Sequence, residues 1–334
     1  MHFGFDDDQT AFRDAARDLL AKECPPDAVR AAWQAPAGRL DRSAWDRLAD
    51  MGVLATLVPE ARGGLGLDER SLVLVLGEVG RAGLPHPLVE TAAVAAPLLA
   101  AGGAAGTAGT GGIAGTGMVA TDLGGPLVAC AADADRLLLH DRGAGGLHLI
   151  DPGAATLAPV ATVDGARRAA RVDWQPTAGT LVTDDPAAVA LAFDRGAWGT
   201  AALLVGLGQR MVDMTVEHVR QRHQFGRPVG SFQAVKHHLA DALQKLAFAR
   251  PAVHRAAHSL ATEATTRARD VSMAKAMASD AAWFAGRQAL QCHGAIGYTV
   301  EHDLHLHLKR VWALAKAWGD AGWHRHRVGQ AIGV

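Results

Sequence analysis

The segment from Arg222 to Gln233 carries the residue types best suited to bind a phosphate-bearing cofactor. It reads Arg-His-Gln-Phe-Gly-Arg-Pro-Val-Gly-Ser-Phe-Gln and joins two stretches of helical periodicity. Arginine offers a planar guanidinium that matches phosphate oxygens, and an aromatic ring offers a face for stacking. Glycine permits close backbone approach, and proline fixes a bend. A plain connection between helices needs none of these residues, so the segment predicts a nucleotide-cofactor site.

Three regions that differ in their residue patterns must position this segment. Apolar residues at helical spacing predict helices over 6–22, 43–51, 68–79 and 89–99, and an Ala/Gly/Thr tract over 101–117 predicts a flexible connection. Short apolar runs between Gly, Asp and Pro then predict a small β domain, and long helical patterns follow to the end. We expect an α+β, mainly α fold with a helical domain over 1–112, a reduced β domain over 113–185 and a four-helix bundle over 186–334.

Composition excludes several classes of function. The chain has 33 basic and 34 acidic residues, so nothing in its charge favours nucleic-acid binding. Its cysteines Cys24, Cys130 and Cys292 form no CxxC pair, which argues against a disulfide framework or a thiolate metal site. We see no signal peptide and no unbroken apolar run that could span a bilayer. We therefore expect a cytoplasmic protein with no membrane partner.

Histidines are the remaining candidates for metal ligands. His302, His305 and His307 crowd one segment, and His254 and His258 are four residues apart. Because the HExxH motif is absent, we interpret the first group as a solvated or interfacial face and expect no metal site.

Three motifs give the chain a resemblance to the acyl-CoA dehydrogenases. Arg222 to Gln233 resembles the family's R-x-x-F-G-x-x-I/V-x-x-F/H/Y-Q segment. Gln291 to Tyr298, which reads QCHGAIGY, is similar to its Q-x-x-G-G-x-G-F/Y turn. Val58 to Gly66 resembles its V-P-E-x-x-G-G-x-G loop, although a packing role is the simpler interpretation of that loop. The motifs lie at both ends of the chain in the family's order and spacing.

The resemblance implies FAD as cofactor and α,β-desaturation of an acyl-CoA thioester as the reaction. In the family a carboxylate removes the proton from Cα, hydride passes from Cβ to the flavin, and hydrogen bonds polarise the thioester. The implied cofactor-binding residues contact the adenosine diphosphate half of a flavin that the neighbouring subunit holds. They are Arg222, Gln224, Phe225, Gln233, Gln291, Gly294 and Ala295.

The chain departs from the family where the catalytic base belongs. The commoner base position, in the family's Y-E-G-T sequence, falls on Trp318, and the other base position falls on Gly196. Neither residue can accept a proton, so the catalytic residue is unknown; Asp320 and Asp194 are weak candidates for a displaced base. The family's T-E-x-x-x-G-S-D segment is reduced to Thr121-Asp122-Leu123-Gly124-Gly125, and its W-I-T-N strand is not recognisable.

We therefore expect a non-catalytic subunit that completes the FAD site of a related acyl-CoA dehydrogenase subunit in a hetero-oligomer. Actinobacterial steroid side-chain enzymes of this heteromeric kind are the best match within the family. One alternative is a self-sufficient homomeric dehydrogenase whose base is Asp320, Asp194 or Glu301. A second is a non-enzymatic scaffold or binding protein of the same fold; a lyase of this fold is also conceivable, although no residue favours it.

Overall fold

The computed structural model of the protein describes residues 4–34, 40–101 and 117–334 and is mainly helical, as predicted. Its helices are α1 Asp7–Glu23, α2 Pro26–Gln34, α3 Ser43–Asp50, α4 Glu69–Ala82, α5 Ala96–Ala101, α6 Pro186–Gln221, α7 Gln233–Ala261, α8 Arg267–His293, α9 Leu304–Lys316 and α10 Ala321–Ile332. Its strands are β1 Val119–Thr121, β2 Arg136–His140, β3 Leu147–Ile150, β4 Thr156–Pro159, β5 Ala170–Asp173, β6 Leu181–Thr183, β7 His223–Gln224 and β8 Arg227–Pro228. The predicted flexible connection lies mostly outside the described residues.

Aspartates begin several of the helices. Asp6 and Gln9 form a reciprocal capping box at the start of α1, and Asp68 accepts a backbone N–H at the start of α4. Asp185 does the same for α6, where Pro186 occupies the first turn. Helix α2 directly follows Pro25, where the sequence predicted only a stop, because proline is well accommodated in a first helical turn.

Helices α4 and α6 cross at backbone contact. A Cβ atom at Gly206 would lie 2.0 Å from the carbonyl oxygen of Gly77, and one at Gly80 would lie 2.2 Å from that of Leu203. Only glycine fits at positions 80 and 206, so these two residues fix how the N-terminal helices sit on the bundle. The ion pair between the buried Glu69 and Arg195 (2.8 Å) joins the same two helices.

The middle region holds a four-stranded sheet in the order β1-β2-β3-β6 and a separate β4-β5 pair. Strands β1 and β2 are parallel, whereas β2-β3, β3-β6 and β4-β5 are antiparallel. Both faces of β2 are buried: Leu138 packs in the main core, and Leu137 and Leu139 pack in a smaller cluster. The sheet is therefore sandwiched between the helical body and its own small core.

Helices α6, α7, α8 and α9 form the predicted bundle, and α10 is an additional helix. The sequence predicted one helix over residues 301–318, but the chain leaves helical geometry at Ala317 and begins α10 at Ala321. Trp318 and Gly319 have positive φ angles of 58° and 84°, which break the helix. The side chain of Asp320 then caps α10.

Helix α6 is long and apolar enough to cross a membrane by length and composition. In the structure 61% of its most apolar window is buried against other helices, as in the central helix of a bundle. Its apolar character therefore serves packing within the protein.

Candidate functional site

The two positions at which the sequence comparison places the catalytic base are in direct contact. The indole of Trp318 lies against the backbone of Gly196, and a Cβ atom at position 196 would be 2.3 Å from Cζ3 of the ring. On another side the indole meets Gly124, where an added Cβ would be 2.9 Å from Nε1. Trp318 is only 1% exposed. A tryptophan side chain thus fills the space between α6 and the Thr121–Gly125 loop.

The backbone of Trp318 is held on both sides. Its N–H donates to the carbonyl oxygen of Gly124 (2.7 Å), and its own carbonyl oxygen accepts from Nε2 of His324 (2.8 Å). A positive φ angle costs a bulky residue roughly 1–2 kcal/mol, so these contacts must offset strain at this turn. The turn is therefore a fixed part of the structure.

Lys275 on α8 supports the same turn from inside the protein. Its ammonium group donates to the carbonyl oxygens of Gly319 (3.0 Å) and Ala315 (3.3 Å) and to Oγ of Ser279 (3.2 Å). The side chain is fully buried, and this burial lowers the pKa of Lys275 to about 7. It binds backbone oxygens that already belong to the turn, so its visible role is structural.

Asp194 faces away from Trp318. It lies two residues before Gly196 on α6, which places it on nearly the opposite side of the helix. Its carboxylate is fully buried and accepts from Nε of Arg267 (2.9 Å) and from Nη1 of Arg327 (2.7 Å). Two guanidinium groups therefore occupy the oxygens that a proton-abstracting base would need free.

Asp320 and Glu301 are also away from the filled centre. Asp320 is half-exposed, caps α10 through the N–H of Trp323 (3.0 Å) and pairs with Lys316 (3.0 Å). These hydrogen bonds lower the pKa of Asp320, which makes it a weaker base. Glu301 is exposed and precedes α9, whereas Trp318 follows it, so about 20 Å of helix separates the two.

The predicted cofactor segment forms an exposed hairpin. Strands β7 and β8 pair His223 with Pro228 and Gln224 with Arg227. Phe225 and Gly226, at the tip, have φ angles of 53° and 77°, the pattern of a tight hairpin turn of type I′. The sequence predicted a turn here but not the strand pairing.

Hydrogen-bonding and aromatic groups of the hairpin face solvent. Phe225 is 91% exposed, and Arg222, Gln224 and Gln233 are exposed as well. The guanidinium of Arg227 stacks 4.1 Å from the centre of the Phe232 ring. Among the described residues Arg222 has no acidic side chain as a partner. These groups can therefore serve a ligand or a second chain that covers this end of the bundle.

The second predicted cofactor segment lies at the same end. Gln291, Gly294 and Ala295 are exposed, and a 3-10 turn over Gly294–Tyr298 follows α8. Helices α6 and α8 end side by side, since the rings of His218 and His293 stack with their centres 4.4 Å apart. The structure thus brings the two segments together on one surface, while it places Trp318 in the interior.

Comparisons with known proteins match most of the chain to one family. The acyl-CoA dehydrogenase N-terminal and C-terminal domains match residues 6–107 and 187–333. Acyl-CoA dehydrogenase IpdE2 of Mycobacterium tuberculosis is 35% identical over 93% of this chain and 92% of its own length. This chain belongs to the acyl-CoA dehydrogenase family.

Two solved structures share the acyl-CoA dehydrogenase fold over nearly the whole chain. The ChsE4–ChsE5 complex of Mycobacterium tuberculosis aligns with a TM-score of 0.89 at 23% identity, covering 100% of this chain and 99% of its own. The steroid acyl-CoA dehydrogenase Tcur3481–Tcur3483 aligns with a TM-score of 0.86 at 24% identity, covering 98% of both chains. The predicted fold is confirmed.

Acyl-CoA dehydrogenases are FAD-dependent oxidoreductases of lipid metabolism, so the predicted cofactor and class of activity are confirmed for the family to which the chain belongs. Flavin chemistry needs a ring pocket and a base. In this acyl-CoA dehydrogenase chain the base positions are filled by the indole of Trp318 against Gly196. The residues that the sequence predicts for part of the cofactor are instead the exposed ones of the hairpin and the Gly294 turn.

The expected solvated histidine face is wrong for two of its members. His305 and His307 are 9% and 5% exposed, because α9 turns both rings into the protein. His302 joins His218 and His293 in a cluster whose members come from three elements. No local spacing connects these residues in the sequence, so only the tertiary structure could reveal the cluster.

Proposed function

We propose that this chain is the non-catalytic subunit of a heteromeric FAD-dependent acyl-CoA dehydrogenase and that it completes the FAD site of a related subunit. The observation that carries the proposal is the contact between Trp318 and Gly196. These are the two residues at which the resemblance predicts the family's base, and one is an aromatic ring that packs on the other, a glycine. A carboxylate at either position could serve as the base if the other position lacked one. Here neither position has one, because the ring of Trp318 fills the space beside Gly196.

The exposed end of the bundle supports the second half of the proposal. Arg222 is exposed and has no acidic partner among the described residues, so its guanidinium can meet a phosphate, and Phe225 offers a ring that is almost wholly exposed. Gly294, with a φ angle of 65°, ends α8 with no side chain in the way of a ligand. Gln224, Gln233, Gln291 and Ala295 complete the surface. These residues would hold the adenosine diphosphate half of FAD, whose flavin ring supplies hydride acceptance when it is bound by the partner.

The partner and the substrate follow from the relatives. ChsE4–ChsE5 and Tcur3481–Tcur3483 are each named as a pair of different chains, and the second is a steroid enzyme. We infer a related acyl-CoA dehydrogenase subunit as partner, a bulky acyl-CoA such as a steroid side-chain thioester as substrate, and the cytoplasm as location. The partner would supply the carboxylate base and the flavin-ring pocket.

Co-expression with a related acyl-CoA dehydrogenase subunit tests the proposal. We expect the chain alone to be colourless and inactive, and the complex to carry less than one flavin per chain and to reduce an electron acceptor with acyl-CoA. Arg222→Gln should lower the flavin content of the complex, because it removes the charge that meets the phosphate. Arg220→Gln, at an exposed arginine two residues earlier, is the matched control and should not.

Two results would overturn the proposal. Stoichiometric FAD and turnover in the purified single chain would establish the self-sufficient homomeric enzyme. Absence of flavin with every related subunit would instead favour a binding or scaffold protein. Full flavin content in the Arg222→Gln complex would show that the hairpin does not meet the cofactor.

A further inference from the structure

Three histidines meet at the end of the bundle, beneath the hairpin and the Gly294 turn. His218 lies in the last turn of α6, His293 ends α8, and His302 lies in the segment before α9. The ring of His293 is central: its centre is 4.4 Å from that of His218 and 4.5 Å from that of His302. One ring nitrogen from each residue lies within 4.8 Å of the other two. Within the part of the chain that the structure describes, no carboxylate belongs to this group.

The two ring nitrogens of His293 have the environments that are usual for a metal-binding histidine. Its Nδ1 donates to the carbonyl oxygen of Ala289 (2.8 Å), which fixes the ring orientation and leaves a lone pair on Nε2. The residue is 5% exposed, and Nε2 has no hydrogen-bond partner among the described residues. Since no described protein group satisfies this buried lone pair, it is available to a ligand. A backbone carbonyl on the other ring nitrogen is the usual support of a metal-binding histidine.

The other two histidines can close around the same point. His218 and His302 are half-buried, so their rings have room to rotate. Nδ1 of His302 accepts from the N–H of Leu304 (3.1 Å), and this partly buried hydrogen bond can be exchanged for a metal bond if water takes over the N–H. Tetrahedral zinc holds its nitrogens about 3.3 Å apart, so the ring nitrogens must approach by up to about 1.5 Å. The ring of His218 now stacks on that of His293 at an interplanar angle of 23°, so it must also rotate to aim its lone pair at the shared ion.

We propose that His218, His293 and His302 bind one divalent transition-metal ion, Zn²⁺ by their chemistry, with the fourth position open to water. Three imidazoles without a carboxylate favour late first-row ions over Mg²⁺ and Ca²⁺, which prefer oxygen. Burial lowers the pKa of His293 to about 4 and also lowers the pKa values of His218 and His302. Metal binding requires the neutral form of imidazole, and burial favours that form.

A metal at this point would link the ends of α6 and α8 to the segment before α9. The hairpin begins at Arg222, one helical turn after His218, and the Gly294 turn begins directly after His293. The ion would fix the relative positions of the two exposed segments. Its binding needs only this chain, so the site is tested independently of any partner subunit or flavin.

The test uses the full chain without an affinity tag, freed of metal by dialysis against a chelator. Co²⁺ is titrated as a spectroscopic probe, and Zn²⁺ is then added as a competitor. We expect one Co²⁺ per chain, with the visible absorption bands of tetrahedral cobalt, and their loss on addition of Zn²⁺. Zn²⁺ should also raise the melting temperature, because it binds the folded state.

Substitutions of the two half-buried ligands identify the site. His218→Gln and His302→Gln should each weaken metal binding by roughly 100-fold or more and abolish the rise in melting temperature. His237→Gln, which removes an exposed histidine of α7, should change neither. Circular dichroism establishes that each variant is folded, and either ligand variant alone decides the test.

Three outcomes would overturn the proposal. The first is that the wild-type chain gives no tetrahedral cobalt bands. The second is that both ligand variants bind Co²⁺ with unchanged affinity. The third is that His237→Gln loses as much binding as the ligand variants do. The last two would assign the metal to other surface histidines.

Discussion

The indole of Trp318 lies so close to Gly196 that a Cβ atom at position 196 would be 2.3 Å from the ring. The resemblance to the family predicts that these two positions are its alternative sites of the catalytic base. Here one of them contributes a large aromatic ring and the other contributes no side chain at all. The contact joins the turn after α9 to the centre of α6 and closes the interior of the chain at this point.

Gly196→Ala should destabilise the protein by about 1–3 kcal/mol, because the added methyl group overpacks the indole. Urea unfolding at neutral pH measures the change. Gly77→Ala is the matched control, since an added Cβ there meets nothing within 4 Å and alanine favours the helix. A loss of stability equal in both variants would contradict the contact.

Trp318→Leu should relieve much of the cost of Gly196→Ala, since a smaller side chain leaves room for the methyl group. On its own Trp318→Leu leaves a cavity and should cost several kcal/mol, about 3–5 for complete truncation of such a ring. A double-mutant cycle should give a coupling free energy of about 0.5–3 kcal/mol. Additive effects would show that the two residues do not interact.

Asp194→Asn should destabilise the chain by about 3–5 kcal/mol, because Arg267 and Arg327 would lose their buried anionic partner. Asp320→Asn should change stability by less than about 1 kcal/mol, since asparagine caps helices as well as aspartate does. Urea unfolding measures both. The co-expressed complex with Asp320→Asn should keep its turnover; a loss with full flavin content would identify Asp320 as the base.

Phe225→Gly should leave the isolated chain as stable as before or slightly more stable, because glycine relieves the positive φ angle at a nearly fully exposed position. The same change should lower the flavin content of the co-expressed complex. Phe248→Ala on α7, which removes another exposed ring, is the control. Equal flavin content in the wild-type and Phe225→Gly complexes would remove Phe225 from the cofactor surface.

Stability should fall as pH falls from 6.5 toward 4. Burial lowers the pKa values of His86 and His324 to about 4 and that of His307 to about 3. In this window the unfolded chain binds protons at these residues and the folded chain does not, so each contributes about 1.4 kcal/mol per pH unit. His307→Leu should reduce the slope by about one proton, measured by urea unfolding at several pH values. An unchanged slope would show that His307 titrates normally.

Stability should rise from pH 7 to about 9 because of Lys275. Its pKa is lowered from 10.5 to about 7, so above pH 7 the unfolded chain holds a proton that the folded chain has released. Lys275→Met should abolish this rise, whereas Lys316→Met, at a largely exposed lysine, should keep it. The rise in stability ends at about pH 9. Burial raises the pKa values of Cys24 and Cys130 to about 11 and 12, so above this pH the two cysteines lower the stability as the pH increases. A rise of equal slope in Lys275→Met would contradict the assignment.

The sequence alone determined the family and the fold class, and it located most of the longer helices. Local patterns were sufficient because capping aspartates and helical periodicity act within a few residues, as at Asp6 and Asp68. The motif around Arg222 and the glycines after Gln291 also predict cofactor segments, and this stays a prediction. The sequence predicts the absence of a base as well, since Trp318 and Gly196 are residue types that cannot accept a proton.

Only the tertiary structure decided what these residues do to one another. The contact between Trp318 and Gly196 depends on the positive φ angle at Trp318 and on how α9 meets α6. The buried state of Asp194 depends on arginines from two other helices. The convergence of His218, His293 and His302 joins segments far apart in the chain. Packing between distant segments sets each of these relationships, and no local sequence pattern encodes it.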